Sequence, residues 1–256
     1  IIVEKQTDPD GALESFEFAT DYGPNFFLVD DGTNNSGPLT PGIYSVSEVN
    51  LPAGWSLTGA TCDDGSNPSA IDLDAGETVT CLFENEVERG TIVVQKGTNP
   101  PGAPDEFEFV GDFTGILKDG EEFQVDDVLP GTYTVQEVVP PDWELTSITC
   151  FDNNSDGDVP TATATFRVEP GERVVCAFNN YQAPGTIIVE KQTDPDGALE
   201  SFEFATDYGP NFFLADDGTN NSGPLTPGIY SVSEINLPAG WSLTGAPCDD
   251  SSDPSA

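Results

Sequence analysis

The feature that most limits how this chain can fold is an internal repeat. Residues 1–70 recur at 187–256 with only five differences, so 65 of the 70 positions are identical. The stretch between the two copies follows the same plan more loosely, since Ile92–Lys96 matches Ile1–Lys5. A period of about 90 residues is too long for a solenoid unit and fits tandem independent domains. We therefore predict an A-B-A arrangement, with domains at residues 1–89, 90–184 and 185–256.

The third copy has no counterpart of residues 71–87, which carry a cysteine and the last strand of the first copy. A β-domain without that strand exposes an unpaired sheet edge. We expect that the natural chain continues and supplies the strand itself. The alternative is that a neighbouring subunit inserts its own strand, which would polymerise the protein.

Short segments of the chain alternate between apolar and polar residues and are bounded by Gly, Pro, Asp and Asn. This pattern predicts strands, and no segment has the period of an amphipathic helix. Six or seven short strands in about 90 residues are typical of a β-sandwich. We predict an all-β protein whose first domain has these strands: Ile1–Gln6, Ser15–Thr20, Asn25–Val29, Ile43–Val49, Trp55–Thr61 and Thr78–Asn85.

The charge of the chain excludes several classes of function. It has 46 acidic residues and 7 Lys and Arg, so its formal net charge is −39, and it has no His. Nucleic acids and anionic membranes are bound through clusters of Lys and Arg. Histidine is the commonest general base of enzymes, and the chain has none. No apolar run reaches the roughly 18 residues of a membrane span. We expect neither an enzyme acting on an external substrate, nor a nucleic-acid-binding protein, nor a membrane span.

The cysteines are distributed as one pair in each complete domain. The first domain has Cys62 and Cys81, the second has Cys150 and Cys176, and the third has Cys248 alone at the position of Cys62. Without a C-x-x-C motif, this distribution favours disulfides over metal or redox chemistry. Disulfides indicate an oxidising, extracellular compartment. Buried free thiols are the alternative, and the partner of Cys248 is absent from the sequence.

Three of the four lysines occupy one position, in the first strand of each domain: Lys5, Lys96 and Lys191. Strand alternation puts Lys5 on the same face as Ile1 and Val3, which is the core side of a sandwich strand. A lone buried ammonium group is costly, so each of these lysines needs partners.

The same alternation identifies the partners. Glu48 follows Val46 on one face of its strand, and Asn85 follows Phe83 on one face of the last strand. In the second domain, Glu137 and Asn180 stand at the matching positions. Each complete domain therefore directs one Lys, one Glu and one Asn into its core. The third domain has Glu234 at the glutamate position and no asparagine.

These motifs resemble a known family. Val3–Lys5, Pro41–Glu48 with Pro52–Trp55, and Phe83–Asn85 are similar to motifs of the collagen-adhesin B-type or SpaA-type pilin domains. The resemblance covers essentially the whole chain and implies tandem prealbumin-like (Ig-like) β-sandwiches. It also implies spontaneous Lys–Asn isopeptide bonds assisted by the Glu. Carried over, Lys5 bonds Asn85 with Glu48 as catalyst, and Lys96 bonds Asn180 with Glu137, while Lys191 and Glu234 await an asparagine.

The chemistry of this bond is consistent with a buried site. Burial lowers the pKa of a lysine and raises that of a glutamic acid. A neutral amine can then attack the amide carbon of the asparagine while the protonated acid polarises its carbonyl, and ammonia leaves. A buried Lys–Glu ion pair with a hydrogen-bonded asparagine is the alternative.

One acidic loop resembles the beginning of a calcium-binding loop. Its candidate ligands alternate along the sequence, and oxygen ligands suit calcium. Thr163 stands at the twelfth position, which excludes an EF-hand. Calcium is therefore a possible but not a required ligand, and ordinary turn chemistry is the alternative. The candidate ligands are Asp152, Asn154, Asp156 and Asp158, with Asp8, Asp10, Asp30 and Asp31 as weaker candidates.

Three asparagines open N-x-Ser sequons in turn-rich loops: Asn34, Asn153 and Asn220. In an extracellular protein such sequons are candidate glycosylation sites.

Together these features predict a structural protein of a microbial cell surface, a filament or rod of tandem β-sandwiches whose partners are neighbouring repeats or other copies of itself. Very short linkers favour a stiff array. The first alternative is the stalk of an adhesin whose binding head lies outside this sequence. The second alternative is a calcium- or carbohydrate-binding module, which needs a concave site.

Overall fold

The computed structural model describes residues 1–252, and in this part of the chain it contains 23 strands and no helix. The all-β prediction is confirmed. The core side chains recur at every second position of the strands, as on β9, where buried and less buried residues alternate. None of the described residues forms a helix long and apolar enough to cross a lipid bilayer.

The first repeat forms nine strands. A four-stranded sheet has the order β4-β1-β9-β7, a three-stranded sheet has the order β3-β2-β6, and β5 pairs with β8. The sheets enclose an apolar core in which Phe18 meets Phe83 edge-to-face at 5.1 Å. The strands are β1 (Ile2–Asp8), β2 (Phe16–Thr20), β3 (Phe26–Leu28), β4 (Thr33–Asn35), β5 (Gly42–Tyr44), β6 (Val46–Val49), β7 (Trp55–Cys62), β8 (Ile71–Leu73) and β9 (Thr80–Val87).

The first and last strands of this repeat run side by side in the same direction. β1 pairs with β9 in parallel, with Lys5 opposite Phe83 and Thr7 opposite Asn85. The chain therefore enters and leaves the domain on adjacent strands. Any bond between β1 and β9 connects the beginning of the domain directly to its end.

One predicted strand is divided in the structure. The segment Ile43–Val49 forms β5 and β6, which are separated at Ser45 and belong to different sheets. At the break, Ser45 exchanges backbone and side-chain hydrogen bonds with Asp21. The single-strand prediction was wrong here because these contacts stop the ladder at Ser45. The short strands β4 and β8 were not predicted.

The second repeat has two larger sheets, of order β13-β10-β18-β15 and β12-β11-β14-β17-β16. Its core contains four phenylalanines with no exposed surface, Phe107, Phe109, Phe166 and Phe178. The strands are β10 (Gly90–Asn99), β11 (Phe107–Gly111), β12 (Gly115–Leu117), β13 (Glu122–Val128), β14 (Gly131–Val138), β15 (Glu144–Cys150), β16 (Asp156–Asp158), β17 (Thr163–Val168) and β18 (Arg173–Tyr181).

The third repeat reproduces part of the first. β19 pairs with β22, and β20 lies between β21 and β23. Phe202, Phe204 and Leu214 form its small buried core. The last four residues of this predicted domain, 253–256, lie outside the described part of the chain. The strands are β19 (Ile188–Glu190), β20 (Phe202–Thr206), β21 (Phe212–Leu214), β22 (Thr219–Asn221) and β23 (Val232–Ile235).

By spatial proximity the chain divides into two compact units. The first unit contains the first repeat and most of the second, and the second unit contains the third repeat with short pieces of the second. The predicted boundaries near residues 89 and 184 stay a prediction. The first unit consists of Ile1–Gly97, Gly102–Val139 and Leu145–Asn179.

Within the first unit, the first two repeats touch closely where one follows the other. Leu129 of the second repeat packs against the core of the first. The amide of Gly171 donates a hydrogen bond to the carbonyl of Glu88 at 3.2 Å. Gly54 has a φ of +77°, and a Cβ on it would lie 2.1 Å from the Cβ of Pro170. The two repeats therefore meet in a packed junction that requires glycine at position 54.

Candidate cross-linking sites

Lys5 is buried in the centre of the first repeat, as its position in the strand predicts. The residue is 1% exposed. Its Nζ atom donates hydrogen bonds to Asn85 Oδ1 at 2.7 Å and to the carbonyl of Gln6 at 2.6 Å. The side chains of Lys5 and Asn85 thus connect β1 to β9 across the parallel pair.

Glu48 completes the group from the other sheet. Its strand β6 pairs with β2, and Glu48 lies opposite Phe18. Its Oε2 atom accepts a hydrogen bond from Asn85 Nδ2 at 2.7 Å. The other oxygen, Oε1, lies 4.0 Å from Lys5 Nζ and has no hydrogen-bond partner among residues 1–252. One carboxyl oxygen therefore faces the amide nitrogen and the other faces the amine.

Apolar surroundings shift the proton equilibria of this group. The Lys5 Nζ atom lies 4.3 Å from the centre of the Phe16 ring. Burial lowers the pKa of Lys5, opposed by the nearby negative charge of Glu48. Burial raises the pKa of Glu48, opposed by the hydrogen bond from Asn85 and the charge of Lys5. Both shifts favour the neutral amine and the neutral acid.

The second repeat has the same arrangement. Lys96 Nζ lies 3.7 Å from Glu137 Oε1, and neither side chain has exposed surface. The Nζ atom lies 4.0 Å above the Phe107 ring. Burial lowers the pKa of Lys96 to about 8, opposed by the charge of Glu137. Asn180 is 1% exposed and lies on β18, the strand next to β10 in the sheet.

The third repeat contains the amine and the acid. Lys191 Nζ lies 3.1 Å from Glu234 Oε1 and 4.3 Å from the centre of the Phe202 ring. The Lys191 side chain is 13% exposed, whereas that of Lys5 is 0% exposed. This difference has a structural cause, because in the described residues β19 pairs only with β22 and has no strand on its other side.

Sequence reasoning did not identify the aromatic ring below each amine. The sequence does contain a sign of this ring, because a phenylalanine stands at the same place in all three repeats, as Phe16, Phe107 and Phe202. A ring face attracts a cation while contributing an apolar surface.

The two predicted disulfides are present. Cys62 bonds Cys81, its direct partner across β7 and β9, and Cys150 bonds Cys176. Cys248 is free and exposed. In the first repeat β9 is therefore held to β7 by a disulfide, four residues before the asparagine that contacts Lys5.

The structure does not bring the predicted calcium ligands of the second repeat into one cluster. Asp156 forms an ion pair with Arg167 at 3.0 Å, and Asp158 accepts a hydrogen bond from Thr161 at 2.7 Å. Asn154 donates to Glu169, and Asp152 accepts from the amide of Ser155. Calcium binding here stays a prediction.

Two other groups of carboxylates do lie together, Asp10 with Asp30 and Asp31, and Asp196 with Asp216 and Asp217. In the first group, Asp30 accepts hydrogen bonds from the amides of Thr7 and Gly11, each at 2.6 Å. Asp8 instead forms an ion pair with Arg89 at 3.1 Å. These contacts join segments that are 19 or more residues apart in sequence.

The three sequons differ in accessibility. Asn153 is exposed in the loop after β15, while Asn34 on β4 and Asn220 on β22 are partly buried. Their glycosylation stays a prediction.

Comparisons with known proteins agree with this description. A model of SpaA-type domains, described as a prealbumin-like fold domain, matches residues 1–87 and again residues 92–182. No curated protein matches the chain. No enzymatic family is indicated by the match.

Similar solved structures include three bacterial proteins. The Bacillus anthracis TIE protein has 22% identity and a TM-score of 0.60, over 92% of this chain and 45% of that protein. The T-13 major pilin of Streptococcus pyogenes has 13% identity and a TM-score of 0.40, over 71% and 96%. The pilus adhesin SpaC of Lactobacillus rhamnosus GG has 15% identity and a TM-score of 0.37, over 94% and 37%. The chain thus spans less than half of the TIE protein, which it resembles in fold.

Proposed function

Because this chain belongs to the family of SpaA-type domains with a prealbumin-like fold, present in two tandem copies, we propose that it is a structural segment of an extracellular cell-surface filament or rod. Its domains are closed by Lys–Asn isopeptide bonds in addition to the disulfides. The observation that carries the proposal is the buried contact of Lys5 with Asn85, 2.7 Å long, beside Glu48. This contact joins the first strand of the domain to the last.

The geometry supports a role for Glu48 as a proton carrier. Lys5 Nζ attacks the Asn85 side-chain carbon, and a Cγ–Nζ bond replaces the Cγ–Nδ2 bond. Glu48 Oε1 faces the amine and Oε2 contacts the leaving nitrogen at 2.7 Å. The carboxyl group therefore takes the proton lost by Nζ and supplies one to Nδ2, which leaves as ammonia. The expectation from sequence has the acid polarise the carbonyl, and the hydrogen bond from Asn85 Nδ2 to Glu48 Oε2 supports the additional proposal that it protonates the leaving nitrogen.

The mass of the intact protein tests the bonds directly. We expect the first two domains to lose one ammonia each, separately from the two hydrogens lost with each disulfide. Glu48→Ala should restore one ammonia because it removes the proton carrier of the first domain only. Glu84→Ala, a change at the exposed neighbour of Asn85 on β9, is the control and should leave the mass loss unchanged. A wild-type chain that retains both ammonias contradicts the cross-links.

A stiff rod also needs domains that hold each other in place. The junction of the first two repeats depends on Gly54, which has no room for a Cβ beside Pro170. The linker residue Arg89 is tied to Asp8 by an ion pair of 3.1 Å. The close packing at Gly54 and the ion pair of Arg89 together restrict the motion of the linker between the two repeats.

We expect Gly54→Ala to loosen this junction and to accelerate tryptic cleavage after Arg89 by roughly fivefold, since proteolysis follows local opening. Gly240→Ala is the matched control. Gly240 has the same kind of backbone, with a φ of +89°, and no atom of the described part of the chain lies within 4 Å of the position of a Cβ on it. It should leave cleavage after Arg89 unchanged. Equal cleavage in both variants and the wild type would contradict a packed junction.

Electron microscopy of native material tests the assembly. Filaments support the proposal, whereas isolated molecules with a distinct tip would indicate the stalk of an adhesin.

A further inference from the structure

The outer face of the β3-β2-β6 sheet carries a carboxylate that is held in place. Phe16 and Phe18 on β2 face the core, so Glu17 between them faces outward. Its Oε2 atom accepts a hydrogen bond from Asn50 Nδ2 and its Oε1 atom from Asn25 Nδ2, both at 2.8 Å. These bonds lower the pKa of Glu17. The group is therefore a fixed negative charge on an open surface.

Apolar side chains lie on both sides of this carboxylate. Phe27 on β3 and Val49 on β6 are the direct cross-strand partners of Glu17. Side chains paired in this way have Cβ atoms about 5 Å apart. Phe27 is 61% exposed although it is aromatic. The face thus presents an exposed ring next to a positioned carboxylate.

The second copy of the A repeat preserves the whole arrangement. Glu203 accepts hydrogen bonds from Asn236 at 2.8 Å and from Asn211 at 2.9 Å. Its cross-strand partners are Phe213, which is 60% exposed, and Ile235. The change from Val49 to Ile235 keeps the site apolar.

The B repeat lacks the two asparagines, although it has the same strands. Glu108 lies between Ile116 and Val138, in the register of Glu17. Thr114 and Val139 stand where the A repeat has Asn25 and Asn50. The fold itself therefore does not require the amide pair, and the B repeat provides a natural comparison within the same chain.

We propose that this face of each A repeat is a docking site for an arginine side chain of a basic partner protein. A guanidinium group is planar, so it can bond a carboxylate with two N–H groups and stack on an aromatic ring. The fixed Glu17 and the exposed Phe27 offer these two contacts side by side. Charge complementarity supports a basic partner, because the chain carries a net charge of −39. A second copy of the chain would bring the same excess of negative charge.

The test uses the full chain and an acetylated, amidated peptide Val-Thr-Arg-Thr-Val coupled to a biosensor surface. Alternation in this peptide puts the arginine and both valines on one face. The double variant Glu17→Gln with Glu203→Gln should bind roughly tenfold more weakly than the wild type. A peptide with citrulline, the neutral analogue of arginine, in place of the arginine should bind the wild-type chain roughly tenfold more weakly as well. The double variant Asn25→Ser with Asn211→Ser keeps the charge and should bind roughly threefold more weakly, because each carboxylate is then held by one asparagine instead of two.

The charge-matched control is Glu108→Gln with Glu144→Gln, which changes two exposed residues outside the A repeats. It should leave binding unchanged. If this control loses as much affinity for the arginine peptide as the Glu17→Gln, Glu203→Gln variant, binding reflects only general attraction by an acidic protein, and the proposal is overturned. No binding to the arginine peptide would also overturn it. Analytical ultracentrifugation tests whether a second copy of the chain binds this face. Self-association that is lost with Glu17→Gln and Glu203→Gln would show that it does, and would overturn the proposal of a basic partner.

Discussion

Replacing Lys5 with methionine will lower the free energy of unfolding of the first domain by about 4–5 kcal/mol. The proposed bond closes a loop between residues that are 80 apart in sequence. The chain-entropy model for cross-links gives about 4.5 kcal/mol for a loop of this length. Methionine keeps an apolar stem in the core and removes the nucleophile. Chemical denaturation of the full chain measures the effect, with intact mass showing that one ammonia is regained.

Lys118→Met is the control for the loss of a lysine. Lys118 forms an ion pair with Glu106 at 3.5 Å, but both side chains are about half exposed, at 48% and 62%. Such surface pairs contribute about 0–1 kcal/mol. We therefore expect little change in stability and no change in the number of ammonias lost.

A second variant separates the cross-link from a simple buried ion pair. Neutralising both members of a buried ion pair with side chains of similar size is often neutral or stabilising. If Lys5 and Glu48 only form an ion pair, Lys5→Met combined with Glu48→Gln should cost little. With the isopeptide, the double variant should lose as much stability as Lys5→Met alone. A double variant as stable as the wild type would contradict the covalent bond.

The burial of Lys5, Glu48 and Asn85 side by side was predictable from sequence because strand alternation is local. Once Val3 is placed inward, Lys5 must follow it, and the same holds for Val46 with Glu48 and for Phe83 with Asn85. The existence of the two disulfides followed from one cysteine pair in each complete domain. The inward position of the Lys, Glu and Asn side chains depends only on which face of a strand each residue occupies.

Features that depend on contacts between distant segments were not predictable. The strand β4 has the sequence Thr-Asn-Asn, which has low strand propensity, and it forms because it pairs with β1. The division at Ser45 depends on Asp21, which lies 24 residues away. In the second repeat, the strand β16 at residues 156–158 was not predicted, and Asp156 on it forms an ion pair with Arg167 on the neighbouring strand β17.

The two asparagines that hold Glu17 were missed for the same reason. Asn25 precedes β3 and Asn50 follows β6, and they meet only because both strands flank β2. Asn50 also has a positive φ of 50°, a conformation that asparagine tolerates better than most residues. In sequence it is indistinguishable from an ordinary turn residue.

Pulling the full chain by its ends will show the largest effect of the cross-link. Tension enters the first domain through β1 and leaves through β9, which run parallel. A bond between Lys5 and Asn85 carries this tension directly, so residues 6–84 stay folded. In Lys5→Met these residues can unfold, and with the disulfide intact about 60 of them extend, which adds about 200 Å at roughly 3.4 Å per residue. Single-molecule force spectroscopy measures this step, and an identical step in the wild type would contradict the bond.

The disulfide gives this experiment an internal control. Cys62 and Cys81 lie within the segment that the cross-link bypasses, so reducing their bond should not change the extension of the first domain in the wild type. In Lys5→Met the intact disulfide keeps the residues between the two cysteines, 19 positions apart, out of the extended chain. Reduction should therefore lengthen the step of this variant by about 60 Å. If reduction lengthens the wild-type domain as well, tension reaches the disulfide and the isopeptide is not the first element to carry it.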